Sequence, residues 1–451
     1  MIEDLRLLGR QSIEGWQMLA HVCRRWRSVV FQSPHRLNLR LLCTPKTLAR
    51  NTLGIWPPLP LIIRDVDDIF YGEPLGADNI IAALEHNDRV GQIELKYLSS
   101  SELGHVTNSA AIQKSFPELT DLRLRMFVDD EPRPILPDSF FGGTAPRLRS
   151  LNLYDVPFPG LPTLLLSTAH LVNLDLYRIP HSGYIPPEVM ARTLTALTSL
   201  ESLRLHFRYP RPRPALENRR LRPPPLTRSI LFSLTKIRFK GTSEYLEKIL
   251  ARIDAPRLHE MDIVFFNQII FDLPQLFQFV SRSPTLRASE KGHISFGSKA
   301  IIVKFTSQTS TYDILSVEIA CTALEWQLSS VAQVCTSSLS PLSTLEDLYI
   351  LEKRGQLWPD DDENTLWLDL LRSFVAVKNL FLPKKFVPRI ASALQELVRE
   401  RTTEVLPTLG NIYLEGFQPW IPLHKGIEKF VAARQLTSYP VAVSCWGRQI
   451  L

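Results

Sequence analysis

Cysteine is scarce in this chain, five in 451 residues, and no two of them form a C-x-x-C pair. Cys23, Cys43, Cys321, Cys335 and Cys445 are odd in number and far apart, which argues against a disulfide framework and against a zinc module. They read as free, buried thiols of a reducing compartment. Glycine-rich phosphate cradles are missing too: there is no G-x-x-x-x-G-K-[ST], no G-x-G-x-x-G after a strand, no G-x-S-x-G elbow and no H-E-x-x-H. The ten histidines are dispersed, none at the i, i+3 or i, i+4 spacing that sets two metal ligands on one helical face. Neither catalysis, a metal nor a cofactor is expected. No apolar run approaches the roughly 18 residues of a membrane span, no signal peptide opens the chain and no N-x-[ST] sequon occurs, so the expected setting is cytoplasmic or nuclear, with no membrane partner. Charge of either sign is in short surplus: 52 basic against 46 acidic side chains leave +6. That permits an acidic partner without demanding nucleic acid.

What the chain does have is leucine in a pattern. The order apolar, two variable, apolar, one variable, apolar appears as Val90-Ile93-Leu95, Leu119-Leu122-Leu124, Leu148-Leu151-Leu153, Leu171-Leu174-Leu176 and Leu200-Leu203-Leu205. It returns as Leu234-Ile237-Phe239, Leu258-Met261-Ile263, Leu345-Leu348-Ile350, Val377-Leu380-Leu382 and Leu409-Ile412-Leu414. Successive starts lie 29, 29, 23, 29, 34, 24, 87, 32 and 32 residues apart, the period of leucine-rich repeats. Each triad buries one face of a strand. Helices at 322–335, 386–401 and 424–434 would cover that core; in 386–401, Ile390, Leu394, Leu397 and Val398 share one helical face. Strands joined through helices run parallel, so the fold class is α/β, a leucine-rich-repeat solenoid with a curved parallel sheet and outer helices. An ordinary doubly wound α/β domain is the alternative.

The array is expected over 37–435, followed by a C-terminal tail at 436–451. Residues 264–340 break the pattern: KAIIVKF at 299–305 and DILSVEIAC at 313–321 alternate with period two and read as a hairpin insertion or as two degenerate repeats. Between Arg208 and Arg228, six prolines and seven arginines mark an extended, solvated loop. Asp360-Asp361-Asp362-Glu363 reads as a second solvated loop.

Residues 16–32 carry an amphipathic helix, with Trp16, Leu19, Ala20, Cys23, Trp26 and Val30 on one face and Arg24, Arg25 and Arg27 on the other. It breaks at Ser33-Pro34, and Leu37, Leu39 and Leu41 then read as a strand. The string HVCRRWRSVVFQSP at 21–34 resembles the C-terminal half of an F-box, as carried in large families by mushroom-forming fungi. The opening MIEDLRLLGRQSIEG lacks the Leu-Pro and apolar first helix of that module, so residues 1–36 are expected to be a partial F-box-like segment, truncated or divergent. The resemblance implies a docking site for a Skp-type adaptor of a cullin ubiquitin ligase, with contacts from Trp16, Leu19, Val22, Cys23, Trp26 and Val30. It also implies a protein substrate held on the repeat surface for ubiquitin transfer by other subunits.

The residues flanking the strand leucines would form the concave recognition face. Among them Arg123 and Arg125, Tyr154, Tyr177 and Arg204 come from the first strands. Lys236, Arg238 and Lys240 form a basic centre, and Tyr349 and Tyr413 come from the last strands. Exposed aromatics anchor protein interfaces, and the basic centre suits an acidic or phosphorylated partner. Three readings follow: a non-catalytic substrate receptor of such a ligase, a leucine-rich interaction scaffold without adaptor binding, and a nucleic-acid binder using the basic face. The last is the weakest, because aromatic interleaving is sparse there and net charge is low.

Overall fold

The computed structural model describes residues 22–32, 40–44, 48–55, 58–65, 77–96, 99–126, 133–210, 228–287, 289–307, 313–336, 344–353, 364–397, 404–418, 422–436 and 439–447. The chain divides into two compact units, Met1–Arg211 and Pro212–Leu451. The boundary between them falls inside the Pro/Arg-rich segment.

The first unit carries helix α1 (Arg24–Gln32), then β1 (Leu41–Cys43), α2 (Ala49–Ile55), β2 (Leu61–Arg64), α3 (Ala77–Leu84), β3 (Val90–Leu95) and α4 (Ser100–Asn108). It continues with β4 (Asp121–Arg125), β5 (Ser150–Tyr154), α5 (Leu161–Leu166), β6 (Asn173–Ile179), α6 (Pro187–Ala196) and β7 (Ser202–Phe207). The seven strands lie side by side in chain order, every neighbouring pair parallel. Register sets Ile93, Leu122, Leu151, Leu174 and Leu203 in one row and Leu95, Leu124, Leu153, Leu176 and Leu205 in the next. None of these ten is more than 3% exposed. At about 1.5–3 kcal/mol for each fully buried leucine, the two rows are the main cohesion of the unit. A strand register slip would turn every one of them to the other face.

In β4 to β7 the first apolar residue of the triad has a separate job. It lies before the strand and closes a turn by donating its N–H to the carbonyl three residues back, as in Leu119 to Phe116, Leu148 to Ala145, Leu171 to Thr168 and Leu200 to Leu197. The residue after it is tied to the preceding connection: Thr120 donates to Gly91, Arg149 to Thr120, Val172 to Arg149 and Glu201 to Val172, each at 2.8 Å. The same backbone bond recurring at the same place in each unit keeps buried polar groups satisfied where the chain turns. Helix α4 starts on a capping box, Ser99 and Glu102 each accepting the other's backbone N–H.

The second unit contains β8 (Ser229–Ile230), β9 (Lys236–Gly241), α7 (Ser243–Leu250), β10 (Ile253–Asp254), β11 (Glu260–Phe265), α8 (Pro274–Arg282) and α9 (Pro284–Arg287). Then come β12 (Lys291–Phe296), β13 (Ala300–Thr306), β14 (Leu315–Ala320), α10 (Leu324–Thr336), β15 (Asp347–Glu352), α11 (Asn364–Arg372), β16 (Asn379–Leu382), α12 (Val387–Leu397), β17 (Asn411–Glu415), α13 (Lys425–Gln435) and β18 (Ala442–Trp446). Its sheet runs β9-β11-β14-β13-β12-β15-β16-β17-β18; the short β8 and β10 pair separately.

The irregular stretch 264–340 resolves here. Strand β12 enters the sheet parallel to β15, turns back at Gly297 into antiparallel β13, and β13 turns again into β14, which lies parallel to β11. The hairpin at 299–321 is present, and residues 291–296 add a third strand that the sequence pattern did not mark. Buried Gln327 of α10 ties the turns by donating to the carbonyls of Gly297 at 2.7 Å and Cys321 at 3.0 Å.

Two boundaries differ from expectation. Residues 442–446, read as tail, form a strand paired with β17. Strand β2, also unmarked, buries Leu61, Ile62 and Ile63 in succession. Helix α12 buries Ile390 and Leu394 as expected. It packs on α13 so closely that a Cβ at Gly426 would strike the Ala391 carbonyl. Thiols divide as well: Cys43, Cys321 and Cys335 are buried, whereas Cys23 and Cys445 are exposed. Burial pushes the Cys43 and Cys321 thiols up to about 11 and Cys335 to about 12, which makes these three unreactive. Among the described residues no helix is long and apolar enough to cross a membrane.

Candidate functional site on the strand faces

Side chains alternate along a strand, so the residues between the buried leucines stand on the opposite face. In the first unit this face carries two rows. The first sets Arg64, Glu94, Arg123, Asn152, Asp175 and Arg204 side by side. Arg64 meets Glu94 at 2.8 Å and Arg123 meets it at 3.6 Å, while Asp175 takes Asn152 at 3.0 Å and Arg204 at 2.8 Å. Partial burial would raise the Glu94 carboxyl, but the Lys96 hydrogen bond and the charges of Arg64, Lys96 and Arg123 outweigh it and hold it below its ordinary value.

The second row is aromatic. Arg125 lies over the Tyr154 ring at 4.6 Å, Tyr154 stacks on Tyr177 at 5.0 Å, and Tyr177 meets His206 at 4.9 Å. A register shift between Leu176 and Ile179 carries the chain past Tyr177 and Arg178, a bulge that re-aims side chains.

The second unit repeats the arrangement with other residues. His293, Tyr349, Phe381 and Tyr413 are in register and stack at 4.6, 4.1 and 4.5 Å. Trp446 stands edge-on to Phe381 at 5.6 Å and to Tyr349 at 6.0 Å. Beside this row runs an amide ladder in which Asn411 donates to Asn379 at 2.8 Å and Asn379 to Asp347 at 2.7 Å. Burial lowers His293 and raises Tyr349 from their ordinary values.

The expected basic centre is corrected by this geometry. Lys236 and Arg238 both pair with Glu260 of the next strand, Arg238 at 3.0 Å, and Arg204 is engaged by Asp175. Lys240 lies 5.9 Å from the Phe266 ring. Sequence spacing picked out the cations; the parallel register sets an acidic strand beside the basic one, so most of this charge is spent inside the sheet.

Of the six adaptor-contact residues, Trp16 and Leu19 lie outside the described residues. Val22 and Trp26 are 65% and 50% exposed, and Val29 is 52% exposed. Among the described ones Val30 alone is buried, at 1%. Cys23 was expected to be buried on the apolar face of its helix and is exposed. The acidic run at 360–363 and most of the Pro/Arg-rich loop also fall outside the described residues.

No group of three or more His, Cys, Asp or Glu side chains that could hold a metal occurs among the described residues. A cavity lined by Leu153, Phe158, Leu176, Tyr177 and Ile185 has about 10 Å³ of room, enough for a water and not for a substrate. The arrangement offers extended rows of partly buried aromatic and polar side chains along the strand faces. Neither a protein-family model nor a curated protein matches this chain.

Proposed function

We propose that this protein is the non-catalytic substrate-recognition subunit of a Skp/cullin/F-box ubiquitin ligase, with its strands forming leucine-rich repeats in a solenoid. A protein substrate is held on the face away from the helices, and α1 faces a Skp-type adaptor. The observation that carries the reading is the pair of stacked aromatic rows, Tyr154-Tyr177-His206 and Tyr349-Phe381-Tyr413, each left half-exposed by the fold. Rigid aromatic side chains bury large area at small entropic cost, which is why they anchor protein interfaces. The exposure of Val22 just before α1 and of Trp26 and Val29 on it, against burial of Val30, fits a helix held by one residue and presenting the others outward.

The test is capture of purified Skp-type adaptor by the intact chain, by Trp26→Ala and by the array from residue 46. Binding by the intact chain, lost in the truncation and weakened in a folded Trp26→Ala chain, supports the reading. No capture by a folded intact chain sinks it and leaves the interaction scaffold. The nucleic-acid reading draws little support, since Arg204, Lys236 and Arg238 already hold carboxylates. A phosphate-tracking surface would show a steep loss of affinity with salt.

A further inference from the structure

The aromatic row of the second unit carries polar groups that the fold does not use. Tyr349 stacks on His293 and Phe381, and Phe381 on Tyr349 and Tyr413, so both faces of these two rings are taken by neighbours. Both residues are partly exposed. What they present outward is therefore ring edge, the positive end of the aromatic quadrupole. Among the described residues, the hydroxyls of Tyr349 and Tyr413 and the indole N–H of Trp446 make no hydrogen bond to protein.

Register flanks the row on both sides. The amide ladder of Asp347, Asn379 and Asn411 lies two residues before it on each strand, and Trp446, paired with Glu415, lies two residues past it on β18. Trp446 stands across the Tyr349 and Phe381 rings at 61° and 69°. Asn411 and Asn379 each spend one amide N–H on the next ladder residue and keep a second. No side chain of the row from Tyr349 to Trp446 is charged, so it selects a neutral ligand.

Spacing narrows the class of ligand. Neighbouring strands lie about 4.8 Å apart, so Tyr349 and Tyr413, two strands apart, repeat over about 9.6 Å. A polyproline II helix returns to the same face every three residues, over about 9.3 Å. An extended strand does so over about 6.7 Å and falls out of step. Hydrogen bonding selects in the same direction. The hydroxyls, the indole N–H, the spare amide N–H groups and the ring edges all attract carbonyl oxygens. A proline-rich segment offers carbonyls that make no internal hydrogen bonds, and its prolines bring no competing N–H. Its conformation is set before it docks, which keeps the ordering cost low.

We propose that Tyr349, Phe381, Tyr413 and Trp446, with Asn379 and Asn411 beside them, bind a proline-rich protein segment in the polyproline II conformation, running across β15 to β18. Its carbonyls take the hydroxyl, indole and amide donors, and its pyrrolidine rings pack against Phe381 and Trp446. That this strand face recognises a protein rests on the function proposed above, and the present inference names the class of segment it takes.

The test uses the full chain and a fluorescein-labelled deca-proline peptide, read by anisotropy. A labelled glycine–serine peptide of the same length and a labelled cello-oligosaccharide are the comparison probes. Tyr349→Phe and Tyr413→Phe, made together, keep the stack and delete only the hydroxyls, and Trp446→Phe deletes the indole N–H. Tyr154→Phe in the first unit is the control, and the melting temperature of each variant checks its fold. The expected result is saturable binding of deca-proline and not of the glycine–serine peptide. Binding should weaken on the order of tenfold in the double variant and by roughly threefold in Trp446→Phe, and stay unchanged in Tyr154→Phe. No binding of deca-proline by the folded chain, or equal binding of the glycine–serine peptide, overturns the proposal. Binding that survives the row variants, or that falls equally in Tyr154→Phe, overturns the site. Row-dependent binding of the oligosaccharide in place of deca-proline overturns the class of ligand. Adaptor capture reads α1 and none of these residues, so the two proposals fail separately.

Discussion

The two aromatic rows are built by the same strand geometry and end in different surroundings. In the first unit the row is bounded by Arg125 at one end and by the arginines around Asp155 at its side. In the second unit His293, Tyr349, Phe381 and Tyr413 run beside neutral asparagines, and Trp446 covers their edges. The first row borders arginines, whereas the second borders an amide ladder that ends on the Asp347 carboxylate. Buried carboxylates differ in the same way. Asp155, fully buried just after β5, has the guanidiniums of Arg133, Arg178 and Arg208 around it. Glu247 of α7 is instead held by backbone N–H groups, those of Gln275 at 2.8 Å and Leu276 at 2.7 Å at the start of α8. Burial dominates there and pushes the Glu247 carboxyl up to about 7. A parallel ladder therefore fixes which residues are neighbours, and the local side chains decide the charge around each row.

The sharpest way to break the comparison is Asp155→Asn. Removing one partner of a buried ionic cluster costs about 3–5 kcal/mol, here because three guanidiniums would face a neutral amide. Denaturant unfolding should show that loss, and adding Arg178→Gln to the same chain should recover part of it. If Asp155→Asn unfolds like the parent, the first unit's charge cluster is not a buried one. Phe381→Ala comes next, at about 2–3 kcal/mol, from lost burial and three lost ring contacts. Its cost should not change with added salt, in contrast to substitutions near Asp155.

A pH series separates the two carboxylates. Glu247 binds its proton more tightly folded than unfolded, so between about 4.5 and about 7 the native state holds more protons than the unfolded one. Its contribution therefore makes stability fall as pH rises through that window. Glu247→Gln should flatten this slope; an unchanged slope would show that Glu247 is not its source. The smallest effect belongs to Trp26→Ala. A side chain half exposed on α1 should change stability by less than about 0.5 kcal/mol, so any loss of adaptor capture in that variant reports on the contact and not on the fold.

Much of the fold was legible because leucine spacing is a local signal. All ten triads coincide with strands, and helices occur at 324–336, 387–397 and 425–435. The misses share one cause. Strand β12, KGHISF, and β18, AVSCW, lack the leucine triad, and their places in the sheet come from neighbours in space. Arg434 shows the same limit. It reads as an exposed helical arginine, yet it is fully buried and donates through Nη2 to the carbonyls of Leu406, Pro407 and Leu409 at 3.1–3.2 Å. Among the candidate site residues, Tyr154, Tyr177, Tyr349 and Tyr413 were marked by their position between leucines. Trp446 and Asp155 carried no sequence signal.

By itself, the sequence determined that strands recur at a near-constant interval, which residues face the core, and that hydrophobic burial drives the array, because alternation and period are properties of neighbours along the chain. Tertiary structure alone decided which charge stands beside which. Glu260 next to Lys236 and Arg238, and three arginines around Asp155, are brought together by register and by a bulge. Coulomb attraction and desolvation act over a few ångströms of space, regardless of how many residues of chain lie between.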